Sequence, residues 1–211
     1  MSDAADPAAA ASRTLATPPR RAISVERVAG EAALDEADLM DLCEATDAAI
    51  IAGGGFGWLN PQGREALSRH FRGVLMVPGR DLFLARLDGV AVGSAQLLRP
   101  PPHNEAQAFA AWLTHAYVAP YARGHGLARL LVRRVEERAA ALGARVLNLD
   151  VRETQADAIA LFEGCGFVRW GTNPLYARVG GETVAGHHYH KPLGAAPRAA
   201  ARRPAAAPRA P

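Results

Sequence analysis

The sequence predicts an α+β fold built on one mixed, largely antiparallel sheet of six or seven strands flanked by helices. The first observation is a pair of apolar runs on either side of Asp88-Gly89, a dipeptide typical of a tight β-hairpin. The second is the succession of a strand at 110–118, a long amphipathic helix at 124–142 and another strand at 145–151. A chain that begins with hairpins and continues with a β-α-β unit favours the α+β class.

The other elements of the N-terminal half follow from the same hydrophobic periodicities. A short strand is expected in 22–28, and a second short helix after Pro61, a residue suited to the first helical turn. The helix predicted over 34–51 places its apolar residues on one stripe: Leu39, Leu42, Cys43, Ala49 and Ile50. The long helix turns a similar stripe inward: Leu127, Leu130, Leu131, Val135 and Leu142.

The C-terminal part predicts one more helix and two more strands. The helix is expected to open over 154–157, where threonine and aspartate stand in a capping-box arrangement. Its inner face carries Ala158, Leu161, Phe162 and Cys165. The last two strands are expected in 167–170 and 184–193.

The positive charge of the chain lies in its C-terminal tail. The 211 residues carry 24 Lys and Arg against 21 Asp and Glu, a net charge of +3. Residues 194–211 hold four arginines and no acid, and residues 1–21 hold three arginines and two aspartates, which leaves −2 for 22–193. We therefore predict one folded domain over 22–193 between two disordered segments, 1–21 and 194–211. An alanine, proline and arginine tail gives little support for a nucleic-acid partner.

The cysteines and the apolar runs bear on the compartment. Neither Cys43 nor Cys165 belongs to a metal-binding or redox motif, and both fall on apolar helix positions, so buried thiols are expected. No apolar run reaches the length of a membrane span, and the N-terminal segment lacks the apolar stretch of a secretory signal. We expect a reducing, cytoplasmic setting and no membrane partner.

The stretch YVAPYARGHGLARLLV, residues 117–132, joins a strand to a helix through a turn with two glycines. Such a junction exposes backbone N–H groups at the positive end of a helix dipole and suits a phosphate or pyrophosphate. Gly124 and Gly126 let the backbone approach a ligand closely. A Walker loop is excluded because Gly-Lys-Ser/Thr is absent, and a Rossmann fingerprint because Arg129 stands where the third glycine belongs.

The segment Arg123-Gly124-His125-Gly126-Leu127-Ala128 matches the Q/R-x-x-G-x-G/A motif of the GNAT family of acetyl-CoA-dependent acyltransferases. The segment 146–171 resembles the second half of that family, in which a strand is followed by a helix and then Gly-Phe. The resemblance covers 23–193 and is strongest over 111–171. GGFGWL at 54–59 and EAQAFA at 105–110 also resemble the tabtoxin-resistance-like branch.

The resemblance implies acetyl-CoA as the acyl-donor substrate and needs no metal. The pyrophosphate would be cradled by the N–H groups of Arg123, Gly124, His125, Gly126, Leu127, Ala128 and Arg129. Tyr117 and Val118 would pair with the pantetheine arm in a gap between two splayed central strands, 110–118 and 146–151. The N–H of Val118 would then stabilise the oxyanion that forms on the thioester carbonyl.

The resemblance also suggests catalytic groups. His115 lies where some relatives keep a base, although the sequence favours a histidine that is merely packed in or hydrogen-bonded to the sheet. Glu105 is a second candidate base or ammonium-binding group, or simply an exposed loop acid. Phe162 aligns with a tyrosine that protonates the departing thiolate in many relatives, and Gln155 replaces a common asparagine. With no hydroxyl at Phe162, the proton would come from Tyr176, Tyr189 or water, or no transfer would occur.

Several functions remain open at this point. We predict acetyl transfer from acetyl-CoA to an amino group of a small molecule or protein, by a monomer or homodimer. Hydroxyl acylation and a coenzyme A-binding sensor without turnover are alternatives. Phe56 and Trp58 would line an acceptor pocket or anchor the core. The segment HHYH, 187–190, is interpreted as a polar strand, because strand alternation puts His188 and His190 on one face and His187 on the other.

Overall fold

A computed structural model of the protein describes residues 21–54 and 56–194. It contains seven strands and four α-helices: β1 Ile23–Arg27, α1 Glu36–Ile51, α2 Arg64–Met76, β2 Arg80–Leu87, β3 Val90–Leu98, β4 Ala110–Val118, α3 Leu127–Ala141, β5 Val146–Arg152, α4 Ala156–Gly164, β6 Val168–Val179 and β7 Glu182–Pro192. Apart from Arg21 and Gly194, the predicted disordered segments lie outside the described residues.

The strands form one open sheet in the order β1-β2-β3-β4-β5-β7-β6. Every neighbouring pair is antiparallel except β4 and β5, which run parallel through the crossover helix α3. The hairpin at Asp88-Gly89 joins β2 and β3 as predicted, with Asp88 in the left-handed region at φ +52°. The mixed, largely antiparallel α+β fold is therefore confirmed.

The helices cover the two faces of the sheet unequally. On one face, α3 and α4 pack over the centre of the sheet, and this core includes Leu127, Leu131, Val135, Phe162 and Tyr189. On the other face, α1 and α2 bury Leu39, Leu42, Leu67 and Phe71 against β2 and β3. Each amphipathic stripe thus finds an apolar surface, which is the main source of helix stability in a domain of this size.

The parallel pair β4–β5 separates after three residue pairs. Ala110, Ala111 and Trp112 pair with 146–148, and no pairing continues beyond Trp112. At the closed end, the Asn148 side-chain amide donates to the Ala111 carbonyl oxygen at 3.3 Å. The remaining halves of the two strands, 113–118 and 149–152, enclose a gap that opens towards their carboxyl ends. This is the splayed central pair that the sequence predicted.

Next to the gap, β4 carries a bulge. Its register with β3 shifts between Tyr117, which faces Ser94, and Thr114, which faces Gln96. His115, inside the bulge, has φ +50°, a left-handed conformation that is costly for a non-glycine residue. A bulge re-aims side chains and often lies beside an active site.

Three details differ from the sequence-based expectation. α4 has Gln155 rather than Thr154 at its N-cap, and no side chain caps its first N–H groups, so the predicted capping box does not form. Strand β6 extends to Val179, well beyond the predicted 167–170, because it forms a hairpin with β7. Cys165 is only partly buried, whereas Cys43 is buried as expected.

Gly93 permits the close approach of β3 to the end of β4. A Cβ at this position would lie 2.4 Å from the Tyr117 carbonyl oxygen and 3.0 Å from the Val118 Cα. We expect Gly93→Ala to lower the free energy of unfolding by about 1–3 kcal/mol, because both colliding groups are backbone. Urea denaturation measures the change.

The matched control is Gly73→Ala, in the middle of α2, where a Cβ would meet nothing within 4 Å. Alanine is the better helix former there, so we expect a gain of about 0.5–1 kcal/mol. Equal stabilities for the two variants would contradict the tight packing assigned to Gly93.

Candidate active site

The glycine-rich turn lies at the open end of the gap. β4 ends at Val118, a single 3-10 turn follows over Pro120–Ala122, and α3 begins at Leu127. Gly124 and Gly126 have φ +83° and +82°, the left-handed conformation that favours glycine. No side chain caps the start of α3, so its first N–H groups face the turn without a side-chain partner.

This turn borders a cavity of about 240 Å³. Six of the seven residues predicted to cradle a pyrophosphate line it: Arg123, Gly124, Gly126, Leu127, Ala128 and Arg129. His125 belongs to the turn but is exposed and is not part of the lining. A Cβ at either Gly124 or Gly126 would meet nothing within 4 Å, which leaves the turn open to a ligand. Backbone donors at a helix N-terminus beside such a cavity suit a bound phosphate.

Two further residues line the cavity that no motif indicated, Ala122 and Leu161. Leu161 comes from α4, which Arg129 holds against the start of α3. The Arg129 guanidinium donates to the Gly164 carbonyl oxygen at 2.9 Å. Arg129 thus closes one wall of the cavity as well as lining it.

The end of β4 presents backbone groups to the gap. The Ala119 N–H donates to the Val92 carbonyl oxygen at 2.8 Å, towards β3. Because N–H groups alternate between the two edges of a strand, the Val118 N–H lies on the β5 edge, inside the gap. The Tyr117 side chain points to α1 instead, where its hydroxyl and Thr46 share a 2.5 Å hydrogen bond. Burial raises the pKa of Tyr117 to about 12.

His115 lies on the face of the sheet covered by α1 and α2. Its ring centroid is 5.8 Å from that of His70 and 6.5 Å from that of Trp58. Its Nδ1 atom is buried and has no hydrogen-bond partner within the described residues. Burial, and then electrostatic repulsion from His70 and Arg80, lower the pKa of His115 to about 4, while Asp150 opposes the shift. The imidazole is therefore neutral near pH 7.

The loop between α1 and α2 reaches over the open end of β5. The Arg152 guanidinium donates to the Gly54 carbonyl oxygen at 2.7 Å, and the Gln155 amide donates to the Gly53 carbonyl oxygen at 2.6 Å. Phe56 in this loop stacks on Tyr117 with ring centroids 4.8 Å apart. Gln155 is thus brought to the loop and is absent from the lining of the cavity beside α3.

Tyr176 is held beside the gap by Asp150. Its hydroxyl donates to the Asp150 carboxylate, on the part of β5 that has separated from β4. Burial, and then this hydrogen bond, raise the pKa of Tyr176. The ring lies against Gly186, where a Cβ would come within 2.1 Å of a ring carbon. Neither Asp150 nor Gly186 carried a sequence signal, because strand pairing alone brings them to Tyr176.

The structure does not bring the other predicted residues to the mouth of the gap. Glu105 is exposed in a 3-10 turn, Glu105–Gln107, before the start of β4, at the opposite end of that strand from Val118. Phe162 is 6% exposed and packs in the core with its ring centroid 5.9 Å from that of Phe167. Tyr189 is fully buried on the same side and donates to Glu163 at 2.9 Å.

The histidines of β7 follow the strand alternation. His187 contacts Thr172 at 3.1 Å, whereas His188 faces Trp170 on the other side of the sheet. Within 21–54 and 56–194, no three His, Cys, Asp or Glu side chains converge in a way that could hold a metal ion. None of the helices described is long and apolar enough to cross a membrane.

Comparison with known proteins agrees with this arrangement. The model of the acetyltransferase (GNAT) family matches residues 51–167, which include β4, the glycine-rich turn, α3, β5 and α4. A protein of Azospirillum brasilense, described as an uncharacterized N-acetyltransferase in the hisH-hisA intergenic region, is 59% identical over 133 residues. The match spans 63% of this chain and 77% of that relative.

Solved structures share the fold. An N-acetyltransferase from Staphylococcus aureus Mu50 has a TM-score of 0.69 and 20% identity, over 82% of this chain and 99% of the other. A GNAT superfamily phosphinothricin acetyltransferase from Sinorhizobium meliloti, in complex with acetyl-CoA, has a TM-score of 0.66 and 20% identity, over 83% and 89%. With the family model covering more than half of its sequence, the chain belongs to the acetyltransferase (GNAT) family.

Proposed function

We propose that the protein transfers the acetyl group of acetyl-CoA to an amino group of a small molecule or a protein. The observation that carries the proposal is the gap between β4 and β5. Near the open end of the gap lies a cavity of about 240 Å³ beside α3, and the opposite face of the sheet carries a neutral histidine and a carboxylate. A thioester in this gap would be reached from both faces.

The donor would be held mainly by backbone. In this proposal, the N–H groups of the turn from Arg123 to Arg129 bind the pyrophosphate, and Val118 donates its N–H to the thioester carbonyl oxygen. A fixed donor at that point stabilises the charge that develops as the amine adds. We propose indirect roles for Gln155, which tethers the α1–α2 loop, and for Phe162, which packs the base of α4.

The transfer needs no covalent enzyme intermediate. The amine nitrogen attacks the thioester carbon, the C–N bond forms, and the C–S bond breaks with its electron pair leaving on sulfur. The proton lost from nitrogen would pass to His115, whose imidazole is unprotonated near pH 7, although its lowered pKa makes it a weaker base than an ordinary histidine. Holding the amine and the thioester together supplies a large part of the acceleration.

Asp150 would attract the incoming ammonium group, with Tyr176 as the residue that positions its carboxylate. The raised pKa of Tyr176 makes it a weak acid, and its proton is already donated to Asp150. We therefore propose that coenzyme A departs as the thiolate and is protonated by water. Glu105 lies outside this arrangement, so we assign the base to His115 alone.

The two cysteines bear on the proposed cellular compartment. Cys43 and Cys165 are both free thiols, consistent with a reducing compartment such as the cytoplasm. The tabtoxin-resistance-like branch and the monomer or homodimer state stay predictions. A coenzyme A-binding sensor without turnover is the competing function, because Phe162 offers no acid for the thiolate.

A thiol-release assay over a panel of amines, run beside calorimetric titration with acetyl-CoA, separates these two functions. Acetyl-CoA binding followed by amine-dependent release of coenzyme A supports the transferase. Tight binding with no release from any amine or alcohol would favour the sensor.

Gly126→Asp tests the donor site. The substitution puts a carboxylate where the proposed pyrophosphate lies, and we expect at least a tenfold loss of acetyl-CoA affinity by calorimetry. The matched control is Gly143→Asp at the other end of α3, which has φ +86° and equally open space around a Cβ. We expect the control variant to carry a similar backbone strain but to bind acetyl-CoA as tightly as the parent. An equal loss of acetyl-CoA affinity in both variants would contradict the proposed site.

His115→Gln tests the base. We expect kcat to fall by about 10²–10⁴-fold with acetyl-CoA affinity unchanged, because a general base typically contributes that much. The exposed His103→Gln is the control. With an aniline as acceptor, the parent kcat/KM should stay level down to about pH 5, since His115 becomes protonated only near its pKa of about 4. An acid limb at the ordinary histidine value of about 6.5 would refute the assignment.

Tyr176→Phe separates positioning from acid catalysis. If Tyr176 only fixes Asp150, the variant should raise the KM of the amine several-fold and change kcat little. A fall in kcat of a hundredfold or more at unchanged KM would instead identify Tyr176 as the thiolate's proton donor. Tyr121→Phe, at an exposed tyrosine on the 3-10 turn after β4, serves as the control.

A further inference from the structure

A second cavity lies on the face of the sheet that α1 and α2 leave partly uncovered. This groove has a volume of about 310 Å³. It runs across β4, β5, β7 and β6 and is distinct from the cavity beside α3, with which it shares no lining residue. We call it the β5 groove and define it by Phe109, Trp112, Asn148, Asp150, Trp170 and His188.

One end of the β5 groove meets the gap. Trp112 and Asn148 form the last residue pair before β4 and β5 separate, and Asp150 lies just beyond that point. The other end, near Phe109 and Val146, lies about 13 Å away, because a strand rises about 3.3 Å per residue. A ligand of that length would have one end beside Asp150, where the gap begins.

The chemistry of the groove changes along this length. Asp150, at the gap, is the only carboxylate among the lining residues, and the lining contains no lysine or arginine. The remainder is rich in aromatic residues: Phe109, Trp112, Trp170 and His188 line this face, and Tyr189 also borders the groove although it belongs to the core on the other face. Of these, Trp170 is 65% exposed and Phe109 52% exposed, unusually open for residues of their size. The Trp170 ring packs against the His188 ring, with the two centroids 5.5 Å apart.

We propose that the β5 groove binds the acceptor and selects an amine whose non-reacting part is aromatic and uncharged, with no carboxylate next to the amino group. The inference rests on the proposed transferase function and deepens it. The ammonium end is directed to the gap by Asp150, and the aromatic part packs against Trp112 and Trp170. A carboxylate on the acceptor would face Asp150, with no cation in the lining to compensate.

The lining of the β5 groove offers no cation that could bind the carboxylate of an amino acid. Arg80 is the arginine whose charge acts on His115, and it has no ion-pair partner among the described residues, but it does not line the groove. Its guanidinium is directed to Gln96 at 2.9 Å, on the side of β4 away from β5. An acceptor that required Arg80 would therefore lie outside the β5 groove.

The test compares matched amines with and without a carboxylate at saturating acetyl-CoA. We expect kcat/KM for tryptamine to be at least tenfold higher than kcat/KM for tryptophan, because tryptamine lacks the carboxylate. We also expect it to be at least tenfold higher than kcat/KM for propylamine, because the indole ring buries a large apolar area. Phenethylamine and phenylalanine should show the same order. An equal or higher value for the amino acids would overturn the proposal and point to Arg80.

Trp170→Ala tests the location. The side chain is mostly exposed, so the fold should tolerate its loss. We expect about a tenfold lower kcat/KM for tryptamine, expressed mainly in KM, with propylamine unaffected. Leu175→Ala, at a 78% exposed residue of the same strand outside the groove, is the matched control and should behave as the parent. Loss of activity with propylamine as well would overturn the assignment to the acceptor's aromatic part.

Sedimentation of the parent and of Trp170→Ala tests whether a second copy of this chain occupies the groove instead of an amine. If the parent is a dimer that Trp170→Ala dissociates while tryptamine kinetics stay unchanged, the groove is an interface between two copies and the proposal fails. Failure of the transferase itself is recognised separately: no amine, propylamine included, would then release coenzyme A. In that case calorimetric titration with tryptamine decides the groove, and an absence of binding overturns it.

Discussion

The loss of pairing between β4 and β5 is the constraint on which the rest of the molecule depends. Each strand beyond Trp112 and Asn148 leaves one edge without a β partner, and such backbone groups are costly unless something satisfies them. The fold holds the gap open from several directions: Gly93 fixes the end of β4 to β3, β7 pairs with the whole of β5, and Arg152 ties β5 to the α1–α2 loop. A substrate arm that pairs like a strand would complete what the sheet leaves unpaired.

The gap between β4 and β5 also explains why the two faces of the sheet carry different kinds of binding groups. On the α3 side, the turn offers backbone N–H groups at a helix start, which recognise phosphate whatever the side chains are. On the α1 and α2 side, the relevant groups are side chains: a histidine kept neutral by burial, a carboxylate held by a tyrosine, and aromatic rings from four different elements.

This division also sets how much the sequence could predict. The helices, the hairpin and the glycine-rich turn before α3 follow from local periodicity and turn residues, so their presence was predicted correctly, whereas the role of the turn in binding the donor stays a prediction. The capping box at Thr154 does not form, because α4 begins one residue later than expected, with Gln155 as its N-cap residue, and the Gln155 side chain donates to Gly53 instead of capping the helix. Asp150, His70 and Trp170 were missed for the same physical reason: only the strand order β4-β5-β7-β6 and the packing of α2 bring them together.

The position of Phe162 shows why a missing hydroxyl need not abolish transfer. In this chain its ring is part of the apolar core with Phe167, and the residue of α4 that lines the cavity beside α3 is Leu161. A thiolate is a tolerable leaving group at neutral pH, whereas an ammonium cannot attack until it loses a proton. A side chain that accepts a proton is therefore needed more on the α1 and α2 face of the sheet, where the acceptor is proposed to bind. There the chain provides a histidine whose pKa of about 4 keeps it unprotonated, at the cost of a strained φ of +50° in the bulge of β4.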